Sequence, residues 1–307
     1  MTEELYKAYR PKDFKSIIGQ EETVQTLENM LKNNRLPHTL LFHGPSGCGK
    51  TTLARILRDK LGCSDIDFTE LNCSDFRGID TVREIMRRMT LAPTGGNCRI
   101  WILDEVHQLS KDAMNGALKM LEDTPSHVYF FLCTTDPNKL LATIRTRCCE
   151  LPVQSLNETE LARLIQKTAR REDKEVPDEV VDQIVRDSLG SARTALVVLD
   201  KIIDLPIATM ASAAEGRAAE ENEAIELCRG LIKGDNWKNI ARILSSLKGD
   251  PEGVRRSVLG YARAILLKGG KAGRAYIVLD SFRENFFSSG NAGLTLACYE
   301  VLHADLD

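Results

Sequence analysis

The residues Gly44-Pro45-Ser46-Gly47-Cys48-Gly49-Lys50-Thr51 fit the phosphate-binding pattern G-x-x-x-x-G-K-[ST] at every position. Glycines let the backbone curl until several N–H groups face one anion, and a helix starting at the end of the loop adds positive potential there. Lys50 would reach the β- and γ-phosphates of a nucleoside triphosphate, and the Thr51 hydroxyl would ligate Mg2+. A glycine-rich turn with a chance lysine is the competing reading. The second chemical element is Asp104-Glu105, which ends the apolar run Ile100-Trp101-Ile102-Leu103 and precedes Val106-His107. Standing alone, two acids at such a place are as readily a surface cap. Behind a phosphate loop, Asp104 would hold the metal ion through its shell, and Glu105 would orient and deprotonate an attacking water. His107 is expected to pack or hydrogen-bond locally.

These groups need elements to hold them. Residues 39–43 read as a buried strand, and residues 52–61 have helical spacing of Leu53, Ile56, Leu57 and Leu61. The loop therefore lies between a strand and a helix. Further strands are expected at 66–71, 99–103, 128–133 and 148–151, alternating with helices at 79–89, 111–121 and 137–144, after an amphipathic helix at 21–33. Such alternation implies a parallel sheet covered on both faces. The loop and the acidic pair fall at its carboxyl edge, where ligands bind in open α/β folds.

Beyond Pro152 the pattern is helical. Asn157 with Glu160 reads as an N-cap and its box acid, opening a helix to Arg171. Pro177 at an N1 position starts a second helix that Gly190 closes, and 191–204 is a third. Residues 206–218 are the linker candidate. Breaks at Gly234-Asp235, Gly249-Asp250-Pro251, Gly269-Gly270 and Ser289-Gly290-Asn291 then mark about five helices.

A chain of 307 residues is long for one core. Its net charge of −3 excludes a global basic signature, so any nucleic-acid contact must come from a local patch. No uninterrupted apolar stretch of membrane-spanning length is present, so no membrane partner is expected. The acidic N-terminus is unlike a secretory signal. The nine cysteines include no C-x-x-C pair and read as reduced thiols rather than a zinc site, which points to an intracellular compartment, cytoplasm or nucleus.

Taken together, several stretches resemble the ATPase subunits of sliding-clamp loaders in the AAA+ superfamily. They are Tyr9-Arg10-Pro11 with Ile18-Gly19-Gln20, the phosphate loop, Glu70-Leu71-Asn72-Cys73-Ser74-Asp75 with Arg77-Gly78-Ile79, Asp104-Glu105-Val106-His107, Thr134-Thr135-Asp136-Pro137, Thr146-Arg147-Cys148 and Gly190-Ser191-Ala192-Arg193. The acidic motif and Thr134-Thr135-Asp136-Pro137 resemble the bacterial motor subunit of the DNA polymerase III gamma/tau type, without its zinc-binding cysteines. The stretch from Leu71 to Asp75 with Arg77-Gly78-Ile79 resembles the small subunits of replication factor C or those of a phage loader, and a phage-encoded chain would work in the host cytoplasm. The resemblance implies an α/β fold: a RecA-like AAA+ domain with a parallel five-stranded sheet over 1–153, a three-helix lid over 154–206, and an all-helical collar over 207–307 that joins subunits. It implies ATP and Mg2+ as cofactors. Thr135 resembles the sensor-1 residue, with Thr134 as fallback, and Arg193 resembles sensor 2. Arg147 resembles the arginine finger that enters a neighbouring subunit's site, although Thr146 replaces the family's serine. Tyr9, Arg10, Pro11 and Ile18 would wrap the adenine, and Thr52 would complete the phosphate cradle.

The implied partners are a sliding clamp, the other loader subunits of a pentameric hetero-oligomeric ring, and primer–template DNA. Arg77, Arg83 and Lys111, with Arg87 beside them, are the candidates for holding phosphates; ordinary solvated charges are the competing reading. Met86, Met89, Thr90, Leu91 and Ala92 are candidates for touching the clamp, with core packing as the alternative. Two rivals remain open: another AAA+ motor, such as a branch-migration helicase or initiator-type remodeller, and a structural loader subunit that binds nucleotide without turnover.

Overall fold

The computed structural model describes residues 3–207, 209–210, 213–214, 223–247, 251–267, 272–286 and 289–304. Among them are five strands, β1 Thr39–His43, β2 Phe68–Asn72, β3 Arg99–Asp104, β4 Val128–Thr134 and β5 Cys149–Pro152. All pair in parallel, in the order β2-β3-β4-β1-β5. The connecting helices are α1 Leu5–Ala8, α2 Glu21–Lys32, α3 Lys50–Lys60, α4 Ile79–Met89, α5 Lys111–Glu122 and α6 Ala142–Arg145.

The continuous apolar runs follow from burial on both faces. Leu41, Trp101, Leu103, Phe130 and Leu132 enter one core with Val82 and Ile85 of α4 and Ala117 and Met120 of α5. Their strand neighbours Leu40, Phe42, Ile100, Ile102, Phe131 and Cys133 enter a second core with Leu27 of α2 and Leu53, Ile56 and Leu57 of α3. Adjacent residues thus alternate between cores, as a pleated strand requires.

Most boundaries shift by a residue or two, and three departures from the expected elements have a local cause. Ile66 is not in a strand: Ser64 caps a 3-10 turn over Asp65–Asp67, leaving Ile66 70% exposed. The helix expected at 137–144 is two pieces, because Asp136 caps a turn at Pro137–Lys139 and extended Leu140 separates it from α6. Pro177 stands at the N-cap of its helix rather than at N1.

The chain forms two compact units, Met1–Leu164 with Gly190–Arg193, and Ile165–Leu189 with Thr194–Asp307. The helices after the sheet are α7 Glu158–Arg171, α8 Asp178–Ser188 and α9 Ala192–Ile202. The expected capping box opens α7: the Asn157 amide donates to Glu160 Oε2 at 2.8 Å and the Glu160 amide to Asn157 Oδ1 at 2.9 Å. The C-terminal region is helical, with Glu223–Lys233, Trp237–Ser246, Pro251–Leu267, Ala272–Ser281 and Gly290–His303 packed around Leu227, Leu231, Val258, Phe282 and Cys298. Buried Glu252 locks this core. It accepts from Arg255 (2.8 and 2.7 Å) and from the Phe286 amide (3.0 Å), while Arg255 also donates to the Phe282 carbonyl (2.9 Å). The 206–218 linker and the breaks at Gly249-Asp250 and Gly269-Gly270 lie largely or wholly outside the described residues. Among the described residues, no helix is long and apolar enough to cross a membrane, and the cysteines are free thiols.

Candidate active site

The phosphate loop leaves the carboxyl end of β1 and enters α3, as its pattern demands. Two glycines are fixed by close approach. A Cβ on Gly44 (φ +149°) would stand 1.9 Å from the Val153 carbonyl, and one on Gly47 (φ +73°) 2.2 Å from Ser191 Oγ. Lys50 is buried, and its ammonium donates to the carbonyls of Gly44 (2.8 Å) and Pro45 (2.7 Å). Its charge is therefore held inside the loop. Buried Cys48 donates to the Gly190 carbonyl at 3.7 Å, and burial pushes its thiol pKa up. Pro45 and Ser46 are exposed at the tip, whereas Gly49, Thr51 and Thr52 are half-buried at the helix start. The Arg193 amide donates to the Gly47 carbonyl at 3.3 Å, and its guanidinium lies 4.8 Å over the Tyr6 ring.

β1, β3 and β4 bring the remaining groups to the same edge. The Thr51 hydroxyl donates to Asp104 Oδ2 at 2.9 Å, and the other Asp104 oxygen accepts the Glu105 amide at 2.9 Å. Glu105 has a left-handed backbone, φ +50°. Its Oε2 accepts from the Thr135 hydroxyl at 3.1 Å and lies 3.3 Å from His107 Nδ1. Thr134 is fully buried and instead meets His107 Nδ1 at 2.9 Å. Burial lowers the His107 pKa despite the Glu105 charge, so the imidazole is neutral at pH 7. Phosphate loop, Asp104, Glu105, Thr135 and the Arg193 backbone thus converge.

The N-terminal segment is pinned to this edge by a reciprocal amide pair, Gln20 Nε2 to the Gln154 carbonyl (2.6 Å) and the Gln154 amide to Gln20 Oε1 (2.9 Å). Tyr9, Arg10, Pro11 and Ile18 in it are half-buried. Burial, and then the neighbouring Arg55 charge, lower the Arg10 pKa. Arg55 itself makes a two-pronged pair with Glu70 (2.8 and 2.7 Å). Sequence reading assigned no role to Arg55, Tyr6, Ser191 or Gln154. The spacing of Glu70 and Arg55 carries no signal, because the end of α3, a loop and the turn over Asp65–Asp67 intervene.

Other candidates lie elsewhere. Arg147 donates through Nε to Glu122 Oε1 (2.8 Å) and through Nη1 to the Thr143 carbonyl (2.7 Å). Arg77 and Lys111 are exposed and adjoin, since the Ser110 amide donates to the Arg77 carbonyl at 3.0 Å. Arg83 pairs with Asp80 (2.9 Å) and Arg87 with Glu84, so these two arginines of α4 are compensated. Of the apolar residues considered for a clamp contact, Met89 is buried in the sheet core and Met86 packs against it, whereas Leu91 is 58% exposed.

Residues 19–80 and 74–157 match the family model described as DNA polymerase III, delta subunit. The DNA polymerase III subunit gamma/tau of Mycobacterium tuberculosis is 34% identical over 222 residues, spanning 65% of this chain and 38% of that one. Over that shared region the chain is similar to the gamma/tau subunits. The tau subunit of Escherichia coli is 28% identical over 263 residues, 78% of this chain and 41% of the relative. The chain therefore spans about two fifths of the length of these gamma/tau relatives. Among solved structures, the Thermotoga maritima RuvB Holliday junction branch migration motor superimposes with a TM-score of 0.59 at 22% identity, covering 89% of this chain and 91% of that one. That likeness shows the fold alone, a five-stranded parallel α/β domain followed by a mostly helical C-terminal region.

The donor set fits Mg·ATP. A hydroxyl and a carboxylate 2.9 Å apart at a sheet edge are hard oxygen ligands of the kind Mg2+ takes, with phosphate and water filling the other positions. A loop whose Gly44, Gly47 and Gly49 all take positive φ can turn its backbone amides toward the phosphates.

Proposed function

We propose that this chain is an ATP-hydrolysing subunit of a sliding-clamp loader in DNA replication. One observation carries the reading: beside a complete phosphate loop, Thr51 bonds Asp104 while Thr135 bonds Glu105, so metal-holding and water-handling groups share one edge. Kinship with gamma/tau subunits, at higher identity than the RuvB likeness, favours a clamp loader over a branch-migration motor.

In this reading Lys50 balances the β- and γ-phosphate charge and the loop amides hold the phosphates. Thr51 and Asp104 would hold Mg2+, which supplies charge neutralisation at the β,γ-bridge. Glu105 orients the attacking water and accepts its proton, and Thr135 fixes the carboxylate that does so. Arg193 reaches the γ-phosphate from the start of α9. Tyr9, Arg10, Pro11 and Ile18 contact the base. Residues 154–206 act as a lid and 207–307 as a collar that builds a pentameric ring with other loader subunits. ATP binding orders the ring around an open clamp. Primer–template DNA, met through Arg77 and Lys111, then triggers hydrolysis and clamp release. Such an assembly works inside the cell, where the thiols stay reduced.

The test is ATP binding and turnover by the complex purified with its native partners, with and without primer–template DNA and clamp. Lys50→Ala should abolish nucleotide binding, whereas Glu105→Gln should bind ATP and not hydrolyse it. Near-normal turnover in either variant would sink the site assignment. Nucleotide binding without turnover in the unaltered complex would replace it with a structural subunit.

A further inference from the structure

The role of Glu105 places a demand on its neighbours. Its left-handed backbone, unusual for a residue with a side chain, costs about 1–2 kcal/mol and must be held by what surrounds it. Thr135 holds one carboxylate oxygen, Oε2. The second group near that oxygen is the His107 imidazole, whose side chain is 6% exposed. His107 Nδ1 lies 2.9 Å from Thr134 Oγ1 and 3.3 Å from Glu105 Oε2, and its Nε2 lies 3.1 Å from Gln108 Nε2. With the Gln108 amide donating to Nε2, the ring proton sits on Nδ1 and points between threonine and carboxylate. The opposite tautomer would set a nitrogen lone pair against the carboxylate oxygen.

We propose that His107, its proton on Nδ1, is a positioning residue for Glu105: with Thr135 it pins Oε2, leaving Oε1 to meet the attacking water. This rests on the reading of Glu105 as the base. The imidazole neither gives nor takes a proton in the reaction; it sets where the carboxylate stands. Sub-ångström placement of such a group matters, since a displacement near 1 Å costs about 10²-fold in rate.

The experiment compares steady-state Mg·ATP hydrolysis by the complex carrying His107→Ala, His107→Asn or Glu105→Gln, with ATP affinity and thermal unfolding measured on each. Asparagine places an amide N–H where Nδ1–H stood. His107→Ala should lower kcat about 10- to 100-fold at unchanged KM and ATP affinity, and His107→Asn should recover most of that loss. A kcat within twofold of the unaltered complex for His107→Ala overturns the proposal. So does equal loss in both histidine variants, or a loss that tracks lowered thermal stability, because either would mean that the ring merely fills space. The two readings fail separately. Normal turnover in Glu105→Gln removes the base itself, whereas an inactive Glu105→Gln beside a fully active His107→Ala removes only the positioning role.

Discussion

Asp67 and Arg99 form a buried pair whose removal can be reckoned from its contacts. Asp67 is 2% exposed and accepts from the Thr94 amide (2.9 Å), the Gly95 amide (2.8 Å), Ser64 Oγ (2.8 Å) and Arg99 Nη2 (2.9 Å). Arg99 also donates to the carbonyls of Arg88 (2.8 Å) and Ala92 (3.2 Å), so the pair ties the start of β3 to the end of α4 and the loop after it. Asp67→Ala strands the guanidinium beside two unmet amides. Breaking a buried pair from one side costs about 3–5 kcal/mol, against a total of about 5–15 kcal/mol. For a unit of this size that lowers the melting temperature by roughly 10 °C. Trp101 is fully buried in this unit, so its fluorescence in a Trp237→Phe background follows the unfolding of this unit.

Replacing both partners, Asp67→Leu with Arg99→Met, should return most of the loss, since an apolar pair needs no desolvated charge. Burial opposes the Asp67 charge, but the Gly95 amide, Arg99, the Thr94 amide and Ser64 outweigh it and hold the carboxyl well below the usual range. A carboxyl with a depressed folded pKa stabilises above its unfolded pKa of about 3.9 and loses that contribution as pH falls through the folded value. The deficit of Asp67→Ala should therefore be the same at pH 7 and pH 5 and shrink only in stronger acid. A single-variant loss below about 1 kcal/mol, or a double variant as unstable as the single one, refutes this reasoning.

In the C-terminal helices, Arg255 above all holds Glu252 down at about 2, against the opposing effect of burial and with further help from the Phe286 amide. Glu252→Gln should speed hydrogen exchange in Pro251–Leu267 and Ala272–Ser281 by an amount equivalent to about 3 kcal/mol. The unaltered protein should keep that protection above the unfolded glutamate pKa of about 4.3 and lose it as pH falls from there toward 2; unchanged exchange would show the cluster to be dispensable. Arg147→Ala should leave ATP binding intact and lower turnover of the assembled complex by about three to five orders of magnitude. Unchanged turnover in the complex would remove Arg147 from the reaction.

Much of this molecule is legible because its signals are local. The three central strands, β3, β4 and β1, are almost continuously apolar, the phosphate loop is contiguous, and Asn157 with Glu160 closes a box within one helical turn. Long-range polar pairs leave no such trace. Arg99 and Asp67 are 32 positions apart, and nothing in their spacing forecasts the bond. Ile66 reads as the first residue of a strand by its type, but Ser64 competes for the backbone and turns the chain before the sheet begins. Met89 illustrates the converse. A methionine at a helix end suits a contact surface, yet the period of Val82, Ile85 and Met89 puts it on the buried face. Asp80–Arg83 and Glu84–Arg87 stand three apart, so the compensation of those arginines follows from helical spacing alone.

Topology constrains which site Arg147 can serve. The phosphate loop begins where β1 ends, at His43. Arg147 comes just before β5, whose Cys149 pairs with Leu40 near the start of β1. The strands are parallel, so Arg147 and its partner Glu122, which precedes β4, lie at the amino edge of the sheet, while Lys50, Asp104 and Glu105 gather at the carboxyl edge. At about 3.3 Å per residue, the five residues of β1 set these edges roughly 15 Å apart, with a packed core between. An arginine side chain does not cross that distance. If Arg147 meets a γ-phosphate, the phosphate belongs to another subunit whose carboxyl edge faces this amino edge. That arrangement is heterologous and closes only as a ring or continues as a filament. In it, the Glu122–Arg147 pair is the state of a subunit without its neighbour, and a neighbour's bound nucleotide competes with Glu122 for the guanidinium.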